Sequence, residues 1–139
     1  SKLPESCVLN RGDILLSLTG NVGRICVVYG SDYLLNQRVA KLSPIETNKR
    51  EYIYLLFRQK RFQQKLEAMS NGAAQQNLSP IQVKDIKVII PSSEILGKFC
   101  QLVSKYFDLS SSLHEKNQTL SQTRNLLIPQ LVTGKRELK

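Results

Sequence analysis

A short run of side-chain amides separates two well-patterned parts of this 139-residue sequence. The stretch NGAAQQNLSP, from Asn71 to Pro80, contains Gln75, Gln76 and Asn77 together with alanine and glycine, and it carries no charge. A side-chain amide presents a donor and an acceptor side by side, which matches the edge of adenine in the major groove of DNA, whereas arginine matches guanine. The small residues would let the backbone approach a duplex closely. The stretch therefore favours recognition by hydrogen bonding.

Residues suited to covalent or metal chemistry are sparse. The three cysteines, Cys7, Cys26 and Cys100, are far apart and form no CxxC pair, and His114 is the single histidine. This set fits reduced, buried thiols better than a disulfide framework. It also offers neither a zinc site nor a nucleophile with a base at readable spacing. We therefore expect no catalysis, no cofactor and no metal site.

Charge and hydropathy narrow the class of partner. Twenty Lys and Arg against eleven Asp and Glu give a formal net charge of +9 and a pI near 9.7. This balance attracts polyanions such as nucleic acids, although a basic surface can also serve solubility alone. No apolar run approaches the roughly 20 residues that cross a bilayer, and the first residues lack the order of a secretion signal. The sequence favours a globular, cytoplasmic protein without a membrane partner.

Strand signals dominate the first part of the chain, which ends near Pro91-Ser92-Ser93. Residues 12–20 alternate apolar and polar side chains, which predicts a strand after a Gly-Asp turn. The loop 20–23 reverses the chain, and the β-branched run 24–30 should pair with the first strand. A further short strand is predicted at 38–42.

Helical signals follow the strands. Asn48 and Glu51 resemble a capping box, and apolar residues recur at helical intervals from there to Gly72, which predicts one amphipathic helix. Ser79-Pro80 predicts a brief helix through Asp85, and 87–91 reads as a last strand. Strands and helices without regular βαβ alternation predict an α+β fold with a small, twisted, mixed or antiparallel sheet.

The second part of the chain carries one long apolar period. Eight of ten a and d positions over five heptads are apolar: Ile95, Phe99, Leu102, Tyr106, Leu109, Leu113, Leu120 and Leu127. This period favours a coiled-coil seam against a partner helix, including that of a second copy in a homodimer, over a surface helix packed on its own domain. At about 1.5 Å per residue the helix would span roughly 50 Å. Lys116 and Thr123 interrupt the seam in its second half.

Four segments, taken in order, carry a resemblance to a known family. They are GDILLSLTGNVGRICVV, LNQRVAKL, SNGAAQQNLSPIQVKDIKVIIP and RNLLIPQLVTGKREL. Together they resemble the specificity subunit of type I restriction–modification systems over essentially the whole chain. The resemblance implies a non-catalytic subunit with two target recognition domains, each reading half of a split DNA site, and two long helices that pack antiparallel between them. It also implies double-stranded DNA as a partner and two kinds of partner subunit: a modification subunit that methylates adenine with S-adenosylmethionine, and a separate motor and nuclease subunit that cuts unmethylated DNA.

This chain is short for that family. We expect residues 1–93 to be the C-terminal part of the second recognition domain, with the first segment of that domain missing. Residues 94–129 should form the long spacer helix, and 130–139 a tail that folds back and touches the partners. The sheet of such a partial domain would have an open edge, which dimerisation could expose or cover.

Three segments are expected to face DNA together, namely 70–77, 19–24 and 36–38. The predicted contacts to base edges are Thr19, Asn21, Arg24, Gln37, Arg38, Gln75, Gln76 and Asn77. The predicted contacts to phosphates are Lys49, Arg50, Arg58 and Arg61, which crowd one helix. Each residue has a purely structural alternative, because loop amides often bond their own backbone and glycines often serve a turn alone.

Two other functions stay open at this point. One is a homodimeric coiled-coil module that never meets nucleic acid. The other is the recognition region of a single-chain DNA methyltransferase. The sequence has no S-adenosylmethionine loop and no N-P-P-[YFW] motif, so it would not transfer a methyl group alone.

Overall fold

The computed structural model describes residue 4 and residues 7–45, 49–70 and 77–135. Its strands are β1 (Val8–Leu9), β2 (Ile14–Ser17), β3 (Ile25–Val27), β4 (Tyr33–Leu34) and β5 (Val39–Leu42). Its helices are α1 (Arg50–Arg58), α2 (Lys60–Ser70), α3 (Pro80–Lys84) and α4 (Ser93–Val132). The chain forms two compact units, Ser1–Ser104 and Lys105–Lys139. Small antiparallel sheets with helices and a long last helix confirm the predicted α+β class.

The central strand β2 organises the sheet of the first unit. It pairs antiparallel with β3 on one side and β5 on the other, with Ile14 opposite Val27 and Leu42. Side chains alternate across a strand, and Ile14, Leu16 and Leu18 are accordingly buried. The three predicted strands and their alternation are confirmed. A second antiparallel pair, β1 with β4, was not predicted, because strands of two residues show no periodicity.

The predicted single helix between 48 and 72 is wrong, since two helices meet at Gln59. The backbone of Gln59 is extended, with φ −63° and ψ 133°, and its carbonyl accepts hydrogen bonds from the first turn of α2. The break brings Phe57 and Phe62 together, with ring centroids 4.5 Å apart. Core packing therefore overrides the helical period. Asn48, half of the predicted capping box, lies outside the described residues, and Glu51 instead accepts from Arg50 at 2.6 Å.

The brief third helix is confirmed with its cap. The Ser79 hydroxyl accepts from the Ile81 N–H at 3.3 Å, and the Gln82 side chain accepts from the Ser79 N–H at 3.2 Å. The strand predicted at 87–91 is wrong, because these residues belong to none of the strands of the described chain. The segment lies along α1 instead, where the Tyr52 hydroxyl donates to the Ile89 carbonyl at 2.5 Å.

One hydrophobic cluster joins the sheet to α1, α2 and α3. Its buried members are Leu16, Leu18, Val22, Phe57, Leu66, Leu78 and Val83. Leu16, Leu66 and Leu78 are fully buried. Because these residues come from the central strand, the β2–β3 turn and three helices, the cluster fixes the loops that follow β2.

The first three turns of α4 belong to the first unit and pack on α1. Leu96 is 3% exposed, and the ring of Phe99 meets that of Tyr52 edge-on at 6.0 Å. Burial and the Glu51 carboxylate raise the pKa of the Cys100 thiol, which a backbone hydrogen bond at Tyr52 partly offsets. Ile95 and Leu102 remain 61% and 60% exposed. The helix therefore packs through Leu96 and Phe99, and of these two only Phe99 belongs to the predicted seam.

The second unit carries the rest of that seam. Tyr106, Leu109, Leu113 and Leu120 are all at least half exposed. The helix continues through Pro129 to Val132, three residues beyond the predicted bound. It ends where the Thr133 N–H bonds the Pro129 carbonyl at 3.0 Å and Gly134 adopts φ +69°. Of the predicted folded-back tail, 136–139 lie outside the described residues.

The three cysteines are free thiols, and the expected burial is wrong for Cys26, which is exposed on an edge strand. Among the described residues, none of the helices combines the length and the apolar character that a bilayer span requires.

Candidate nucleic-acid interface

Three chain segments converge just beyond the end of β2, around the backbone of Leu18. The Leu18 N–H donates to the Arg38 carbonyl at 2.9 Å, and the Leu18 carbonyl accepts from the Leu78 N–H at 2.8 Å. Thr19 and Asn77, next to them, form an isolated antiparallel bridge. The structure thus brings together the turn 19–24, the segment 36–38 and the C-terminal end of the amide-rich stretch 71–80. These three segments are far apart in the sequence. This group is called the Leu18 cluster below.

The turn between β2 and β3 is held at both ends. The Ser17 N–H donates to the Arg24 carbonyl at 2.8 Å, and the Gly23 N–H donates to the Ser17 carbonyl at 3.1 Å. Gly23 has φ +81°, and a Cβ there would lie 3.3 Å from the Leu66 Cβ. Only glycine fits this conformation and this close approach without strain. The turn is therefore fixed against α2, while Asn21 and Arg24 stay exposed.

The segment before β5 forms a side-chain-supported turn. The Asn36 side chain accepts from the Arg38 N–H at 2.9 Å, and its carbonyl accepts from the Val39 N–H at 3.0 Å. Asn36 is thus engaged with its own backbone, in the manner common for loop asparagines. Gln37 and Arg38, which were predicted to contact bases, are exposed.

Of the amide-rich stretch 71–80, the structure describes residues 77–80. Gln75 and Gln76 lie outside the described residues. Asn77 is exposed and bridges to Thr19, and Ser70, which closes α2, is 2% exposed. Of the eight predicted base-edge residues, the structure places six in or beside the Leu18 cluster: Thr19, Asn21, Arg24, Gln37, Arg38 and Asn77.

The four predicted phosphate contacts lie on two helices and do not form one stripe. Arg50 lies within 2.8 Å of a Cβ built at Gly12, before the start of β2 and therefore at the opposite end from the Leu18 cluster. Its guanidinium is 2.6 Å from Glu51. Lys49 is half-buried beside it. Arg58 stacks on the ring of Tyr54 at 5.6 Å, and Arg61 is exposed beyond the break at Gln59.

A groove adjoining α2 contains a basic residue that the sequence did not indicate. Arg61 and Lys65 of α2 line it together with Lys87, and its volume is about 750 Å³. Lys87 was assigned to a strand, and no local pattern connects it to α2. Only the tertiary fold brings these three cations together.

Comparison with known proteins agrees with these features. The family described as "Type I restriction modification DNA specificity domain" matches residues 3–122, and the chain belongs to this family. It is 29% identical over 122 residues to the type I restriction enzyme HindI specificity subunit of Haemophilus influenzae. It is also 25% identical over 124 residues to the type I restriction enzyme MjaIX specificity subunit of Methanocaldococcus jannaschii.

Each match covers 87% of this chain, but 26% of the first relative and 28% of the second. The chain therefore spans about a quarter of the length of these curated relatives. The resemblance drawn from the sequence motifs is confirmed, since both relatives are specificity subunits of type I systems.

Proposed function

We propose that this chain reads one half of a bipartite DNA sequence as part of the specificity subunit of a type I restriction–modification complex. The observation that carries the proposal is the Leu18 cluster, where the backbones of three separate segments meet at one end of the sheet. The net charge of +9 supplies the attraction to a polyanion. Family membership supports DNA as that polyanion.

The exposed side chains of the cluster suit direct readout in the major groove. Arg24 and Arg38 offer paired donors to guanine, and Asn21, Gln37 and Asn77 offer a donor with an acceptor to adenine. The predicted residues Gln75 and Gln76 would extend the same surface. Arg58 would contact phosphates, which set the register on the duplex without reading sequence.

Methylation and cleavage belong, in this proposal, to partner modification and restriction subunits. The chain itself acts without catalytic residues, cofactor or metal. The chain would position a bound duplex for those subunits in the cytoplasm.

The long helix would act as spacer and assembly element. A helix of 40 residues measures about 60 Å at 1.5 Å per residue. One turn of DNA is about 34–36 Å, so a rod of this length would separate half-sites by more than one turn. The exposed apolar seam supports the presence of a second helix along it, because water-exposed leucines at coiled-coil spacing are stabilised by such pairing.

A selection of randomised duplexes by the complete complex tests both roles. We expect enrichment of a split sequence, because each recognition domain reads its own half. Deleting one heptad, residues 113–119, should change the permitted gap between the halves and leave the preferred half-site unchanged. An unchanged gap would argue against the spacer role, and no enrichment by the intact complex would argue against sequence reading.

The helix should also join two copies of the isolated chain. Replacing both Leu109 and Leu113 by glutamate places charges in the seam, where pairing would bury them. We expect sedimentation equilibrium to show dimers for the original chain and at least about tenfold weaker association for this variant. Gln118→Glu with Gln122→Glu adds the same charge on the opposite face and should leave association unchanged. A monomeric original chain would contradict the homodimer.

A further inference from the structure

The groove beside α2 is a second surface of the first unit, built differently from the Leu18 cluster. Its floor is apolar and consists of Tyr52 and Leu56 of α1 and Phe62 of α2. The segment 87–89 forms the opposite wall, fixed to α1 by the hydrogen bond from the Tyr52 hydroxyl to the Ile89 carbonyl at 2.5 Å. A groove of about 750 Å³ is large enough for several side chains of a ligand.

The rim of this groove is positively charged on both sides. Arg61 and Lys65 stand on α2 and Lys87 on the facing wall, and none of the described residues that line the groove is a carboxylate. All three side chains are exposed. In the described part of the chain none of the three is close enough to an acid to form a salt bridge. Their charges therefore remain available to an external anion.

The wall also leaves large apolar side chains in water. Ile89, which lines the groove, is 87% exposed, and Ile90, the residue after the wall, is 40% exposed. Single exposed apolar residues are ordinary on a protein surface, but here they border an apolar floor and a rim of three cations. Such an arrangement is typical of a protein-binding surface with an apolar centre and a charged edge.

We propose that this groove binds a partner protein through a segment whose leucine or phenylalanine side chains are flanked by aspartate or glutamate. The apolar side chains would fill the floor between Tyr52, Leu56 and Phe62, and the carboxylates would pair with Arg61, Lys65 and Lys87. Duplex DNA matches the cations but not the floor, because its outer surface presents phosphates and sugars and no protruding apolar group. The charge complementarity thus favours an acidic protein segment, independently of whether the Leu18 cluster reads DNA.

Amide spectra of the full ¹⁵N-labelled chain, titrated with two synthetic peptides, test the proposal. The first peptide carries leucines flanked by glutamates, and the second has serine in place of every leucine. We expect the first peptide to shift the amides of Tyr52, Phe62 and Lys87 and the second to bind at least about tenfold more weakly, since it cannot bury apolar surface. Similar affinity for both peptides would overturn the proposal.

Charge reversal provides the matched control. Arg61→Glu with Lys87→Glu should weaken binding of the leucine peptide at least about tenfold. Lys60→Glu with Lys84→Glu changes the net charge by the same amount outside this groove and should leave the peptide affinity unchanged. If the reversed variant loses its amide dispersion, Arg61→Gln with Lys87→Gln makes the same comparison. Equal weakening by both pairs would contradict a specific site.

A short duplex of random sequence separates this proposal from DNA binding. We expect it to leave the Tyr52 and Phe62 amides unshifted. If the duplex shifts these amides and displaces the peptide, the groove is part of the DNA interface and the proposal fails. A chain that binds the peptide at the groove but no duplex would instead count against the proposed DNA reading alone.

Discussion

Replacing Leu66 by alanine should lower the free energy of unfolding of the first unit by about 2–5 kcal/mol, the range for fully buried leucines. Leu66 is 0% exposed and belongs to the cluster that joins the sheet to three helices. The truncation removes buried methyl groups and leaves a cavity within this cluster, which neighbouring elements can close only in part. Urea unfolding followed by circular dichroism measures the change.

Leu126→Ala is the matched control, because it removes the same atoms from a helical leucine that is 67% exposed. We expect it to change the unfolding free energy by at most about 0.5 kcal/mol. A loss at Leu66 as small as that at Leu126 would contradict the packing of α2 on the sheet.

The same substitution should also disturb the candidate interface. The side chain of Leu66 fills the space beside Gly23, at 3.3–3.5 Å from a Cβ built there. The β2–β3 turn is therefore positioned by the core, and Asn21 and Arg24 depend on it. A cavity under the turn would loosen these two side chains even in molecules that remain folded.

Local patterns predicted the elements that local physics determines. The alternation of Ile14, Leu16 and Leu18 identified the central strand, because a half-buried strand needs that period. Ser79 and Pro80 identified α3, because cap chemistry is contained in a few neighbouring residues. The seam of α4 was visible for the same reason, since it repeats along one helix.

Elements decided by tertiary contacts could not be predicted. The break at Gln59 exists because Phe57 and Phe62 pack together, whereas the sequence RQKRFQQ contains neither glycine nor proline and also suits a continuous helix. The stretch 87–91 has strand composition, but it lies against α1 and pairs with no strand. Element type therefore depended here on which partners the fold provides.

The candidate site divides in the same way. Motif order indicated which loops belong together, and the hydrogen bonds of Leu18 place three of those segments side by side. The ion pair of Arg50 with Glu51 was not predicted from the sequence. The sequence pattern indicated a helix-capping role for Glu51 and a phosphate contact for Arg50. Lys87 was missed because its neighbours Arg61 and Lys65 come from another element.

Within the complete complex, Arg24→Ala and Arg38→Ala should each weaken binding to the preferred duplex by about 5- to 150-fold, equivalent to about 1–3 kcal/mol for a guanine contact. Arg24 and Arg38 each lie at a hydrogen-bonded end of a turn, and their side chains are exposed. Each variant should lose affinity for the preferred duplex and keep most of its affinity for unrelated duplexes. Fluorescence anisotropy with the preferred and an unrelated duplex measures both effects.

Arg58→Ala provides the comparison, because Arg58 is a proposed phosphate contact far from the turns in sequence and stacked on Tyr54. This variant should weaken binding to all duplexes to the same extent. It should also reduce the slope of log affinity against log salt concentration by about 1, because one fewer counterion is released. If Arg24→Ala behaves like Arg58→Ala, Arg24 contacts the backbone and base reading must reside in the amides. If Arg24→Ala affects neither duplex, the turn 19–24 does not face DNA, because an exposed arginine at the interface would contribute at least to the salt dependence.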